Sequence, residues 1–168
     1  MSDTQVFRIW IKAPAEKIWQ AITDPEWTAK YAYSAPQFYE LKKGGRFHST
    51  ATEEMKSYAA AGGFELPEII LDGEVLEAEP PRRLVQTWRM LMDPTTAAEP
   101  FTTLTYEIEE AGAGVQRVTI THDTPGAPAT AAMVRGNTEA GADGGGGWAW
   151  VLSDLKSLLE TGKIMTEA

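Results

Sequence analysis

The chain has 168 residues, 43% of them hydrophobic, with 24 acidic against 15 basic side chains and a formal charge of −9. Such a length suits one domain over residues 1–168, burying roughly 70% of the surface that its unfolded chain exposes, and the apolar content argues against disorder. The charge disfavours partners with phosphate backbones or anionic headgroups, and the lack of cysteine excludes disulfides, thiol nucleophiles and thiolate metal sites.

The densest basic groups, Lys42-Lys43 with Arg46 and the pair Arg82-Arg83, are too small to offset the charge, so no nucleic-acid partner is expected. No run approaches the 18 or so apolar residues of a membrane span, so no membrane insertion is expected. The first residues, MSDTQVFRIW, do not read as a secretion signal. With the missing cysteines, this makes the cytoplasm the expected location.

Residues 6–12 alternate with period two, placing Phe7, Ile9 and Ile11 on one face of a strand. Ala13-Pro14 ends it, and proline suits the first turn of a helix. That helix is predicted to run to about Thr23 on a stripe of Ile18, Trp19 and Ile22 and to stop at Asp24-Pro25. A helical turn over 26–30 follows. Residues 31–41 hold Tyr31, Tyr33, Phe38 and Tyr39 without a pattern. Gly44-Gly45 marks a turn, and Arg46 to Thr50 reads as a strand. Residues 51–67 read as an insertion over the sheet, a candidate lid, with a helical turn between Met55 and Ala61.

Further strands are predicted at 69–78, 83–92, 101–109 and 115–122. In the second, Leu84, Gln86, Trp88, Met90 and Met92 share a face. In the third, Leu104, Tyr106 and Ile108 oppose Thr103, Thr105 and Glu107. In the fourth, Val118, Ile120 and His122 oppose Arg117, Thr119 and Thr121. This alternation predicts antiparallel strands with one wet face. Glu79-Pro80-Pro81-Arg82 and Gly112-Ala113-Gly114 read as turns, and Asp93 to Pro100 as a loop. Residues 123–147 are rich in Gly, Ala and Pro, with a short helix expected near 129–135. Gly144 to Gly147 reads as a hinge. It lacks the Gly-Lys-Ser/Thr ending of a phosphate loop and follows Asp143. Trp148, Val151, Leu152, Leu155, Leu158 and Leu159 then fall on one stripe of a helix of about four turns, with Gly162 placed for a left-handed cap.

The order strand, helix, run of strands, long amphipathic helix resembles the SRPBCC superfamily, the START and birch-pollen-allergen-like domains. Within it the chain is most similar to the branch related to the C-terminal domain of the heat-shock chaperone ATPase activator. The residues carrying the resemblance are Ala13-Pro14-Ala15-Glu16-Lys17-Ile18-Trp19 with Thr23-Asp24-Pro25-Glu26, then Gly44-Gly45-Arg46-Phe47 and Gly73-Glu74-Val75. Pro80-Pro81-Arg82-Arg83-Leu84-Val85-Gln86-Thr87-Trp88 follows, and the last match is Gly147-Trp148 with Leu152, Leu155-Lys156 and Leu158-Leu159-Glu160. The resemblance implies an α+β helix-grip fold, a curved antiparallel sheet wrapped around a long C-terminal helix. It is not specific for function, because the scaffold carries lipid carriers, polyketide cyclases and aromatases, and hormone receptors. Residues 51–68 and 123–147 depart from the shorter family pattern.

In that fold a cavity is expected between sheet and helix. Its expected ligand-binding wall is Phe47, Leu71, Val75, Trp88, Met90, Leu104, Tyr106, Val118 and Ile120, closed by Trp148 and Leu152. Each could equally be plain core. His48 and His122 are the only histidines. The alternation turns His48 outward and His122 inward at a strand end, so a shared metal is not expected, and no cofactor is implied. His122 and Tyr106 are the candidate catalytic groups, one a base or anchor and the other a hydroxyl donor. Arg89 and Glu74 would face outward. Trp10, on an outward strand face, and Trp150, off the helical stripe, suggest an interface and a homodimer.

Three functions are open at this point. The first is binding of a hydrophobic, aromatic or polyketide-like small molecule. The second is a polyketide cyclase or aromatase-type enzyme. The third is a regulator that contacts a heat-shock chaperone ATPase, although the eukaryotic activators carry an additional N-terminal domain for which this chain has no room.

Overall fold

The computed structural model describes residues 3–142 and 144–167. Asp143, predicted to precede the glycine run, lies outside them. In chain order the elements are β1 (Thr4–Lys12), α1 (Ala15–Thr23), α2 (Pro25–Thr28), β2 (Gln37–Tyr39) and β3 (Arg46–Thr50). Then come α3 (Glu53–Ala61), β4 (Ile69–Glu79), β5 (Arg83–Met90), α4 (Pro94–Ala97) and β6 (Thr102–Gly112). The chain finishes with β7 (Val115–Asp123), α5 (Pro128–Arg135) and α6 (Gly147–Thr161).

The strands form one curved, open antiparallel sheet in the order β1-β7-β6-β5-β4-β3-β2. Strands β3 to β7 pair with their sequence neighbours, whereas β1 closes the far edge against β7, Thr4 opposite Asp123 and Lys12 opposite Val115. Alternation then decides what is buried. Leu84, Gln86 and Trp88 of β5 turn inward, as do Leu104, Tyr106 and Ile108 of β6 and Val118, Ile120 and His122 of β7. Helix α6 lays Trp148, Leu152 and Leu155 into this face, and α1 adds Ile18, Trp19 and Ile22, so that all these apolar side chains belong to one cluster.

Gly73, one of the residues that carry the family resemblance, shows why the sheet needs that motif. A Cβ at this position would stand 2.0 Å from the Thr87 carbonyl oxygen on β5, far inside van der Waals contact. The backbone approach is possible only without a side chain, and the neighbouring β4–β5 register shifts between Val75 and Glu77.

Four local readings need correction. The aromatic stretch contains β2, a three-residue edge strand that pairs with β3 and is too short to show alternation. The expected turn at 55–61 is a full helix from Glu53, begun where the Thr52 hydroxyl accepts from the Met55 N–H at 3.1 Å, a side-chain cap. The 93–100 loop holds α4, capped by the Asp93 carboxylate on the Thr95 N–H. Gly144 to Gly147, read as a hinge, includes a tightly packed junction. Gly147 has φ +62°, and a Cβ there would lie 2.3 Å from the Val134 carbonyl oxygen, so the start of α6 is pressed against the end of α5.

Asp154 lies off the apolar stripe of α6 yet is almost fully buried. Its carboxylate accepts from the Ala32 N–H at 2.7 Å and the Met165 N–H at 2.8 Å. It thereby fastens to α6 both the loop after α2 and the segment that follows α6. Gly162 caps the helix in the left-handed conformation at φ +80°, as its position predicts.

Candidate functional site

The interior between sheet and α6 is organised around four rings. Trp88 meets His122 edge-on with centroids 5.1 Å apart, and Trp148 of α6 stands 6.1 Å from Trp88, 5.9 Å from His122 and 6.2 Å from Tyr106. Such separations suit edge-to-face attraction between aromatic quadrupoles.

His122 is fully buried and both ring nitrogens are engaged. The Trp148 indole N–H donates to Nδ1 at 2.9 Å. An indole nitrogen can only donate, so Nδ1 carries no proton and the neutral ring holds it on Nε2. Nε2 lies 2.7 Å from the Thr102 hydroxyl, whose own proton goes to the Trp88 carbonyl oxygen at 2.9 Å. The chain of donors runs Trp148, His122, Thr102, Trp88 with every proton placed. Desolvation by burial pushes the imidazole pKa down to about 4. In this arrangement the neutral ring keeps no free lone pair with which to take a proton from a substrate.

A second polar group surrounds Gln86. The Tyr39 hydroxyl donates to Gln86 Oε1 at 2.9 Å, and the Tyr106 hydroxyl is within hydrogen-bonding reach of Tyr39. Burial raises the pKa of Tyr31, Tyr39 and Tyr106. All three therefore stay protonated at neutral pH and can act as donors, not as bases. Gln86 is 0% exposed, and its amide nitrogen has no hydrogen-bond partner.

The eleven predicted wall residues do converge on this region. Ten are buried in a single cluster and Met90 packs against it. Two clefts lie elsewhere on the molecule. One of about 530 Å³ lies beside Lys12, Pro14, Arg82 and Gln116, and one of about 400 Å³ lies along Arg46, Asp72, Thr87 and Phe101. Of the eleven, only Phe47 borders either. Alternation predicts the direction of a side chain but not the space left beside it.

Outward residues behave as predicted. Arg89 forms a bidentate pair with Asp72 at 2.8 and 3.1 Å and stacks over Phe101. His48, on the opposite side of the sheet from Phe47, stacks on Phe38 at 4.9 Å. Trp10 is half exposed on the edge strand β1 and Trp150 is half-buried. Among the described residues no three His, Asp or Glu side chains stand together as metal ligands, and no helix is long and apolar enough to cross a membrane.

A curved sheet gripping a C-terminal helix defines the helix-grip class. The family model described as "Activator of Hsp90 ATPase homolog 1-like protein" matches residues 12–160, and the chain belongs to that family. No functionally curated protein matches it. Among solved structures it is similar to CalU16 from Micromonospora echinospora, at 22% identity and TM-score 0.51. That match covers 72% of this chain and only 60% of CalU16. Protein MLL2253 from Mesorhizobium loti aligns over 96% of this chain and 99% of its own, at 21% identity and TM-score 0.67. The Aha1 dimer from Colwellia psychrerythraea aligns over 95% and 98%, at 20% identity and TM-score 0.59. At these identities the likenesses establish the fold.

Proposed function

We propose that the protein binds an apolar, ring-containing small molecule between its sheet and α6. The observation that carries this reading is the layer formed by Trp88, Tyr106, His122 and Trp148, where large flat side chains meet across the sheet–helix interface. Rings that already pack edge to face offer the same surfaces to a flat guest. Space for it comes from α6 moving off the sheet, with Met90 and Met133, partly buried beside the core, repacking around it. A guest burying about 300 Å² of apolar surface would gain about 7–8 kcal/mol, near micromolar affinity before ordering costs.

Titration with ethylnaphthalene tests this. Saturable quenching of tryptophan fluorescence is expected, with NMR shifts at the methyl groups of Leu104, Val118, Ile120 and Leu152. Leu152→Phe, which fills the interface, should weaken uptake at least fivefold. Absence of uptake, or shifts confined to the outer cleft around Phe101, would overturn the reading. A cyclase-type reaction draws less support, because His122 is occupied at both nitrogens and the buried tyrosines stay protonated and so cannot serve as bases.

A second reading, direct contact with a heat-shock chaperone, is supported by the family description and by two surface aromatics. Tyr58 on α3 and Phe64 just after it are 86% and 72% exposed, two large rings within seven positions of one surface segment. Capture of Hsp90 by the wild type, lost in a Tyr58→Ser/Phe64→Ser double variant, is the result this reading expects. Equal capture by both proteins, or none by either, would count against it.

A further inference from the structure

We infer that Gln86 is the polar anchor of the interior site, selecting guests that carry a carbonyl or similar neutral oxygen acceptor. The inference rests on the binding reading above and adds to it a ligand chemistry. Gln86 is 0% exposed, and on β5 it lies between the inward-facing Leu84 and Trp88. Its strand partners are Val75 on β4 and Leu104 on β6. A primary amide is costly in such surroundings, because each unpaired donor loses its water without compensation. Nonetheless one end is paired, Oε1 with the Tyr39 hydroxyl at 2.9 Å, while Nε2 has no partner.

The amide is set with its oxygen toward Tyr39. A tyrosine hydroxyl has one proton to give. Tyr39 gives its proton to Gln86 Oε1 at 2.9 Å. That leaves the two N–H bonds of Nε2 without a partner. A sealed core would have an apolar residue of similar shape here. An oxygen acceptor on a bound molecule is the missing partner, and a neutral one, since a carboxylate or phosphate would have to shed its hydration in the same apolar interior.

Two probes of nearly identical shape distinguish this inference from the reading it rests on: naphthyl methyl ketone, which carries a carbonyl, and ethylnaphthalene, which does not. Wild-type protein should bind the ketone about tenfold more tightly, the effect of one well-made hydrogen bond in a dry site. In Gln86→Met that preference should fall to about unity with ethylnaphthalene affinity kept. On wild-type protein the ketone should also shift the side-chain amide resonances of Gln86, which needs no variant to fold. Equal binding of both probes, a preference that survives Gln86→Met, or an unmoved amide signal would overturn the anchor and leave the binding reading standing. Failure of both probes to bind would overturn both.

Discussion

Replacing Trp148 with alanine is expected to cost about 3–5 kcal/mol of folding stability, the range for truncating a large buried aromatic. Two contributions add at this residue. The first is the indole's bulk, packed between Trp88, Tyr106 and His122. The second is its N–H, which satisfies His122 Nδ1 in a place where an unpaired acceptor costs about 1–3 kcal/mol. Trp148→Phe separates them, since it keeps a ring and removes the donor. Urea denaturation should place it between wild type and Trp148→Ala, with the His122 resonance moved toward its ordinary titration range as Nδ1 becomes free. Were Trp148→Phe as stable as wild type, and the histidine unmoved, the indole–imidazole bond would not matter energetically.

Acidification should destabilise the fold by about 3 kcal/mol through His122 alone. Well above pH 6.5 the imidazole is neutral in folded and unfolded chains and contributes no pH dependence. Below that, the unfolded chain takes up a proton that the folded ring, with its pKa lowered to about 4 by burial, refuses. Stability then falls by about 1.4 kcal/mol per pH unit until the folded ring also titrates, and the loss levels off beneath pH 4. Carboxylates add their own acid sensitivity. Glu160, held low first by the Lys12 backbone N–H and then by the Lys156 ammonium, loses its share as pH falls through the carboxylate range. The contribution of His122 is therefore the difference between wild type and His122→Leu. Parallel stability curves for the two proteins between pH 6.5 and 4 would show that the ring is not kept neutral.

Much of this architecture is legible in the residues. Period-two runs in β5, β6 and β7 and the stripe on α6 assign inward and outward faces that the structure reproduces, because burial on one side is what selects such patterns. Trp88, Tyr106, His122 and Trp148 are accordingly all placed in the interior. What escapes is whatever periodicity cannot encode. Strand β2 is too short to alternate. Asp154 sits beside the apolar stripe and is drawn inward by two backbone N–H groups from distant loops, a partnership invisible to local spacing. Gln86 is legible as inward-facing, and a polar residue between Leu84 and Trp88 is the one signal that could have marked it. Its importance, however, depends on Tyr39, a residue 47 positions away that reaches its amide oxygen from a stretch with no pattern of its own.

Pairing of β1 with β7 carries a consequence for how the chain acquires its fold. Thr4 meets Asp123, and Lys156 on α6 reaches back to the Trp10 carbonyl, so the closures join residues 119 and 146 positions apart. During synthesis β1 must wait, with its apolar side uncovered, until β7, 119 positions further on at the Thr4–Asp123 pair, has been made. Nonlocal closure of this sort slows folding and prolongs exposure to aggregation, which makes the last helix the latch that ends that vulnerable interval.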